Sequence, residues 1–142
     1  MCIRDRLRGA RGTHGDIRSR GTRRVVEAMR THGIERMVAL SSYGVGDSAA
    51  GLSTGMRVVF ALLLRPQMDD HEVQEQVVRT SGTRWTLVRP VNLVDEGERG
   101  PLVADASMRT ASMKVDRDQV AAYLAAAVTD DDLVGRTVAL SS

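Results

Sequence analysis

Apolar residues recur at spacings of three and four between Asp16 and Gly33, then give way to a short unbroken apolar run. The first pattern predicts a helix with Val25, Met29 and His32 on one face, flanked by Val26 and Ala28. Gly33 suits its end, because glycine enters the left-handed region without a Cβ clash. The run Arg36-Met37-Val38-Ala39-Leu40, ending in Ser41-Ser42, predicts a strand covered on both faces, as in a parallel sheet. Gly44 to Gly55 reads as a loop. Met56 to Leu64 is expected to be helical and to stop at Pro66. A second helical pattern runs from Met68 to Thr80 through His71, Val73, Val77 and Val78, closed by Ser81-Gly82. Arg84 to Val88 predicts a second strand, ended by Arg89-Pro90. Glu96 to Gly100 reads as a polar turn, with short strands expected at Leu102–Ala104 and Ser112–Val115. Asp116 is placed to cap a helix through Val128, with Val120, Leu124, Ala127 and Val128 on one face. Thr137 to Leu140 predicts the last strand. No internal repeat or linker interrupts the series.

Helix, strand, helix, strand, helix, strand in that order implies an α/β domain with a parallel sheet and helical crossovers. Such sheets bind ligands outside the carboxyl ends of their strands. That rule selects Ser41-Ser42-Tyr43-Gly44 and Arg89-Pro90-Val91-Asn92. The two segments follow consecutive strands and are expected to meet at one edge.

Composition narrows the functions. The 142 residues allow one domain with one core, and 42% are apolar. Aromatic residues are only 3%, so aliphatic side chains must fill the core and stacking on nucleic-acid bases is poorly supported. The net charge of +2 does not argue for a polyanionic partner. Arg4, Arg6, Arg8, Arg11, Arg18, Arg20, Arg23 and Arg24 crowd the start, but no recognition motif accompanies them, so a solvated basic start is expected over a nucleic-acid arm. Lys114 is the sole lysine. With Cys2 alone there is no disulfide framework, and His14, His32 and His71 lack ligand spacing, so no metal is expected. Val58 to Leu64 is too short to span a bilayer, and the start lacks the apolar core of a signal peptide. The expected location is cytoplasmic, with no membrane or nucleic-acid partner.

Gly9-Ala10-Arg11-Gly12-Thr13-His14-Gly15 matches G-x-x-G-x-x-G, a loop that cradles pyrophosphate when a buried strand precedes it. Cys2 to Arg8 offers only Ile3 and Leu7 among charges. The segment therefore reads as a glycine- and arginine-rich connector, and residues 1–15 as a non-native or disordered start.

Further motifs carry a resemblance. Gly21-Thr22-Arg23-Arg24-Val25-Val26-Glu27-Ala28-Met29 is followed by Gly33-Ile34-Glu35-Arg36-Met37-Val38-Ala39-Leu40-Ser41-Ser42. Asp69-Asp70-His71, Glu75 and Ser81-Gly82-Thr83-Arg84-Trp85-Thr86-Leu87-Val88-Arg89-Pro90 come next. Val115-Asp116-Arg117-Asp118-Gln119-Val120-Ala121 and Gly135-Arg136-Thr137-Val138 complete the set. Together they resemble the atypical short-chain dehydrogenases with an NAD(P)H-binding domain, the group of the flavin reductase/biliverdin-IXβ reductases and nitrogen-metabolite-repressor-like proteins. The resemblance covers roughly residues 16–142. It implies the C-terminal part of a Rossmann-like domain lacking the first βαβ units, starting near the fourth strand of the sheet.

The resemblance also implies NADP or NAD as cofactor of the full-length parent, with hydride passing to a flavin, quinone or similar acceptor. Ser42 matches the serine near nicotinamide and substrate, and His71 the helix position able to contact ribose or relay a proton. These two are the candidate catalytic residues. Ser41, Ser42, Tyr43, Pro90, Val91 and Asn92 are the candidate cofactor-binding residues. The Tyr-x-x-x-Lys pair of conventional members is absent, since Asp47 follows Tyr43 and Ala127 follows Tyr123 at that spacing. Asn92 stands where biliverdin reductase-like members carry a histidine, and Gln119 where the family carries an aspartate. Arg117 matches a family arginine that can serve as an ion-pair partner. Two other readings stay open: a regulatory module that senses NAD(P) without turnover, and an inactive fragment with poor solubility and no NADPH affinity. NAD against NADP and the oligomeric state are not readable from these residues.

Overall fold

The computed structural model describes residues 16–46, 48, 53, 55, 65–95 and 100–142. Helix α1 (Ile17–Thr31) leads into strand β1 (Arg36–Leu40). Helix α2 (Arg65–Arg79) precedes β2 (Arg84–Pro90), then the short strands β3 (Asn92–Val94), β4 (Val103–Asp105) and β5 (Lys114–Asp116). Helix α3 (Arg117–Ala127), a 3-10 turn (Asp131–Leu133) and β6 (Arg136–Ser141) complete the chain.

The main sheet has the order β1-β2-β6-β4. Strands β1, β2 and β6 are parallel, with Leu40 beside Val88 and Pro90 beside Leu140. Helices cover both faces of this sheet. Val26 and Met29 of α1 and Val78 of α2 pack on Met37, Ala39 and Leu87. Val120, Leu124 and Ala127 of α3 pack on Val38, Val88 and Val138. Successive strand residues point to opposite faces, which explains why Met37 joins one cluster and Val38 the other. This is a Rossmann-like α/β arrangement.

Four expectations need correction or qualification. The sheet is mixed, because β4 runs antiparallel to β6, pairing Val103 with Ser141 and Asp105 with Ala139. Strand β2 does not stop before Arg89-Pro90 but includes both residues. A paired guanidinium lets it continue (below). Pro66 is the second residue of helix α2, and the helix expected to stop at it lies outside the described residues. The helix expected at Met56–Leu64, the turn at Glu96–Gly100 except Gly100 itself, and Gly9–Gly15 lie outside the described residues.

Local chemistry accounts for the junctions. Gly33 has φ 64 after α1 and Gly82 φ 75 after α2, the left-handed turns anticipated for them. Asp116 caps α3, its carboxylate accepting from the N–H of Asp118 at 2.8 Å and of Gln119 at 3.3 Å. The far end of α3 is held by Arg36. Its guanidinium donates to Val128 O at 3.1 Å and Arg84 O at 2.7 Å, and also to Ala127 O and Asp130 O. One planar fork thus satisfies helix-end carbonyls and ties α3 to the start of β1 and β2, with positive charge at the negative end of the helix dipole.

Arg36→Ala is therefore expected to destabilise the fold by about 2 kcal/mol, and Arg36→Lys to recover little of it, since one ammonium cannot reproduce the fork. Urea unfolding with an unchanged m-value checks this; equal midpoints for wild type and Arg36→Ala would contradict it.

Candidate functional site

The carboxyl ends of the parallel strands are knitted by backbone bonds. Ser41 N–H donates to Val88 O at 2.8 Å, Tyr43 N–H to Pro90 O at 3.0 Å, and Val91 N–H to Leu140 O at 3.0 Å. Segments 41–44 and 89–92 are thus side by side. The same bonds consume the Tyr43 and Val91 N–H groups inside the fold. Tyr43, Pro90 and Val91 are buried, and the Tyr43 phenol donates to Met108 O at 3.1 Å. Ser42 is half-buried, its hydroxyl linked only to the neighbouring Tyr43 O at 3.2 Å, and Asn92 is exposed. Of the candidate side chains on this edge, Ser42 and Asn92 are thus the two that are not buried.

Beneath this edge lies a buried ion pair. Arg89 is 2% exposed and Glu75 4%. Arg89 donates through Nε to Glu75 Oε1 and through Nη2 to Glu75 Oε2, both at 2.8 Å. Arg79 adds a bond to Glu75 Oε2 at 3.2 Å and another to Thr137 Oγ1 at 3.0 Å. Burial pushes the Glu75 carboxyl up, but its bonds from Arg89, with Ser41 and Arg79 pulling the same way, hold it below the usual carboxylate range. The buried Ser41 hydroxyl contributes to that pull without completing a hydrogen bond of good geometry. Gly46, at φ 57, passes so close that a Cβ there would lie 3.2 Å from Arg89 Nη2. In the sequence Arg89 marks the end of a strand and Glu75 stands only in a family motif; neither announces the pair. The available signal was a charge at the end of an apolar strand run.

Among the described residues, His71 has no hydrogen bond to Ser42. Its Nδ1 lies 3.1 Å from Gln74 Oε1. Burial and the nearby Arg18 charge lower its pKa from 6.5 to about 4, so the imidazole is neutral near pH 7. Its neighbour Asp70 serves another helix. The Asp70 carboxylate accepts from the N–H of Arg18 at 2.9 Å and of Ser19 at 3.0 Å, capping α1 from α2. Asp70 is 4% exposed, so the positive end of α1 is filled by an internal anion.

Elsewhere, Arg117 pairs with Asp95, as its carboxylate-pairing reading anticipated. Gln119 Nε2 donates to Gly100 O at 2.9 Å, while its Oε1 is buried without a partner. Among the described residues no group of His, Cys, Asp and Glu is arranged to hold a metal, and no helix is long and apolar enough to cross a membrane.

A family model described as NAD(P)H-binding matches residues 7–131. An uncharacterized chloroplastic protein of Arabidopsis thaliana is 27% identical over 112 residues, which is 79% of this chain and 40% of that protein. Among solved structures, the oxidoreductase ylbE from Lactococcus lactis superposes with a TM-score of 0.75 at 14% identity, over 96% of this chain and 59% of that one. ChuY of Escherichia coli O157:H7, an anaerobilin reductase, gives 0.67 at 23% identity over 92% and 59%. A short-chain dehydrogenase/reductase from Veillonella parvula, solved with NADP, gives 0.69 at 15% identity over 87% and 58%. The chain thus spans 40% of the curated relative and about 60% of these solved chains. At these identities the structural likenesses show the fold.

The His71 environment sets a pH dependence. The unfolded chain binds a proton near pH 6.5 that the folded chain refuses until about pH 4, so stability falls as pH drops through that window. The full loss is about 3 kcal/mol at 1.36 kcal/mol per pKa unit. His71→Gln is expected to flatten stability between those pH values, measured by urea midpoints. Acid loss at lower pH remains, because Glu75, with its lowered pKa, loses its stabilisation only there. An unchanged slope in the variant would refute the assignment.

Proposed function

The chain belongs to the NAD(P)H-binding family, and on that premise we propose that residues 16–142 are the C-terminal, nicotinamide-side part of an NAD(P)H-dependent oxidoreductase. Its acceptor in this reading is a flavin, quinone or similar small molecule. NAD or NADP is the cofactor class of the family. The observation that carries the reading is the bond from Tyr43 N–H to Pro90 O, which sets Ser42 and Asn92 at one strand-end edge. That one solved relative of this fold is an anaerobilin reductase and another an oxidoreductase supports the redox class.

The residues fit one end of the cofactor. Among the described residues the half-buried Ser42 hydroxyl has a single neighbouring link, and the Asn92 amide is exposed. Hydrogen-bonding capacity is thus left at the edge where a nicotinamide carboxamide would lie. The phosphate end has no such match among the described residues, since Asp70 already fills the N-terminus of α1. Ser42 and Asn92 would hold the carboxamide and orient the ring, and Pro90 would fix the direction of the chain beside it. The dinucleotide supplies the hydride. The protein's part is to bind, orient and exclude water.

The test is NADPH oxidation by the full-length parent with FMN or dichlorophenolindophenol, beside direct NADPH binding by this chain in calorimetry. Turnover is expected, and Ser42→Ala is expected to lower kcat/KM about tenfold, or about 1.4 kcal/mol. Binding without turnover would replace the oxidoreductase reading with the sensor. Neither binding nor turnover would mark an inactive fragment.

A further inference from the structure

Met108 is the one non-glycine residue with positive φ among the described residues, at 63. It ends a turn that the sequence makes locally. Asp105 accepts from Ser107 N–H at 2.6 Å, and Met108 N–H approaches Asp105 O at 3.4 Å. Glycine or asparagine is the economical residue for a left-handed position after such a turn. A methionine held there costs on the order of the strain of a sparsely populated backbone region and persists only where its surroundings enforce it.

Those surroundings are two residues of the strand ends. Met108 O accepts the Tyr43 phenol at 3.1 Å, and Met108 Sδ lies 3.7 Å from Arg89 Nη1. Tyr43 directly follows Ser42, and Arg89 directly precedes Pro90. The rest of the segment returns to the end of β6, where Ala111 N–H donates to Ser141 Oγ at 2.8 Å and Ser112 Oγ to Ser142 O at 2.6 Å. One residue therefore joins the 105–113 segment to the carboxyl ends of β1 and β2, while Ala111 and Ser112 join it to β6. Met108 also packs, partly buried, against the core cluster that contains Tyr43 and Val91.

We propose that Met108 is a positioning residue: locked in the left-handed conformation by Tyr43 and Arg89, it sets segment 105–113 as the acceptor-side wall of the strand-end site. The inference rests on the oxidoreductase reading for the word acceptor, not for the brace itself.

The test compares wild type, Met108→Gly, Met108→Leu and Tyr43→Phe. Glycine fits the backbone and keeps the carbonyl that Tyr43 bonds, but removes the side-chain contact with Arg89 and the core; leucine keeps apolar packing, and phenylalanine removes the phenol bond. Met108→Gly is expected to raise the acceptor KM about fivefold, with the NADPH KM and kcat within about twofold, Tyr43→Phe to raise the acceptor KM about fivefold, and Met108→Leu to recover most of the loss. Amide hydrogen exchange gives a second readout without turnover. Exchange at Ala111 is expected to speed about tenfold in Met108→Gly, while Val38 in the central sheet stays unchanged. Unchanged exchange at Ala111 overturns the brace. Faster exchange with an unmoved acceptor KM overturns the acceptor-wall role. Absence of NADPH turnover in wild type defeats the oxidoreductase reading and with it the acceptor-wall role, while the exchange result still decides the brace.

Discussion

The guanidinium of Arg89 is buried among strand ends, and the fold around it is arranged to answer that charge. A lone buried cation would cost several kcal/mol, so pairing is a condition of the strand continuing to Pro90 at all. Glu75 meets it with two parallel bonds of 2.8 Å, the geometry in which arginine and carboxylate interact most strongly. Because Glu75 belongs to α2 and Arg89 to β2, the pair also fixes the helix over the sheet. Removing one partner is worse than never having the pair, since the other is left buried and uncompensated. The charge constrains three further segments. Gly46 passes where a Cβ would lie 3.2 Å from Arg89 Nη2, the Met108 sulfur lies 3.7 Å from Arg89 Nη1, and Arg79 reaches both Glu75 and Thr137.

A second buried carboxylate works independently, although it lies on the same helix. Asp70 meets two N–H donors of α1 and so joins α1 to α2 at their shared end. Its charge is met by backbone dipoles and by the Arg18 guanidinium 3.9 Å away. A helix N-terminus is the usual place for a phosphate, and that of α1 is taken.

Much of the fold was legible because local rules and tertiary contacts agree in it. Val25, Val26 and Met29 gave α1 its period, Met37 to Ala39 announced a strand buried on both faces, and Asp116 caps α3 as its position suggested. The strand-end rule chose segments that do lie together. What stayed hidden depends on distant partners. Arg89 looked like a terminator because its carboxylate is 14 residues back on another element. Asp70 stood only as part of Asp69-Asp70-His71, because the donors it caps are 51 and 52 residues away. The antiparallel direction of β4 carries no local signature, since three residues are too few for a period. Met108 breaks the turn rule outright, for the sake of two contacts that no window around it contains.

The protonation states at the strand ends bear on which acceptors suit the proposed reaction. An acceptor that needs an enzyme-borne proton requires a group that is acidic near neutral pH and reaches the site. His71 is neutral there and bonded to Gln74. The Tyr43 phenol is turned toward Met108 O, and the one lysine, Lys114, is on β5 rather than four residues after a tyrosine. Ser42 and Asn92 can donate hydrogen bonds but are not acids in this range. Carbonyl reduction through a tyrosine–lysine pair is therefore disfavoured on geometry as well as on spacing. In the proposed reaction, flavins and quinones, whose reduced forms draw protons from water, ask for orientation rather than for an acid.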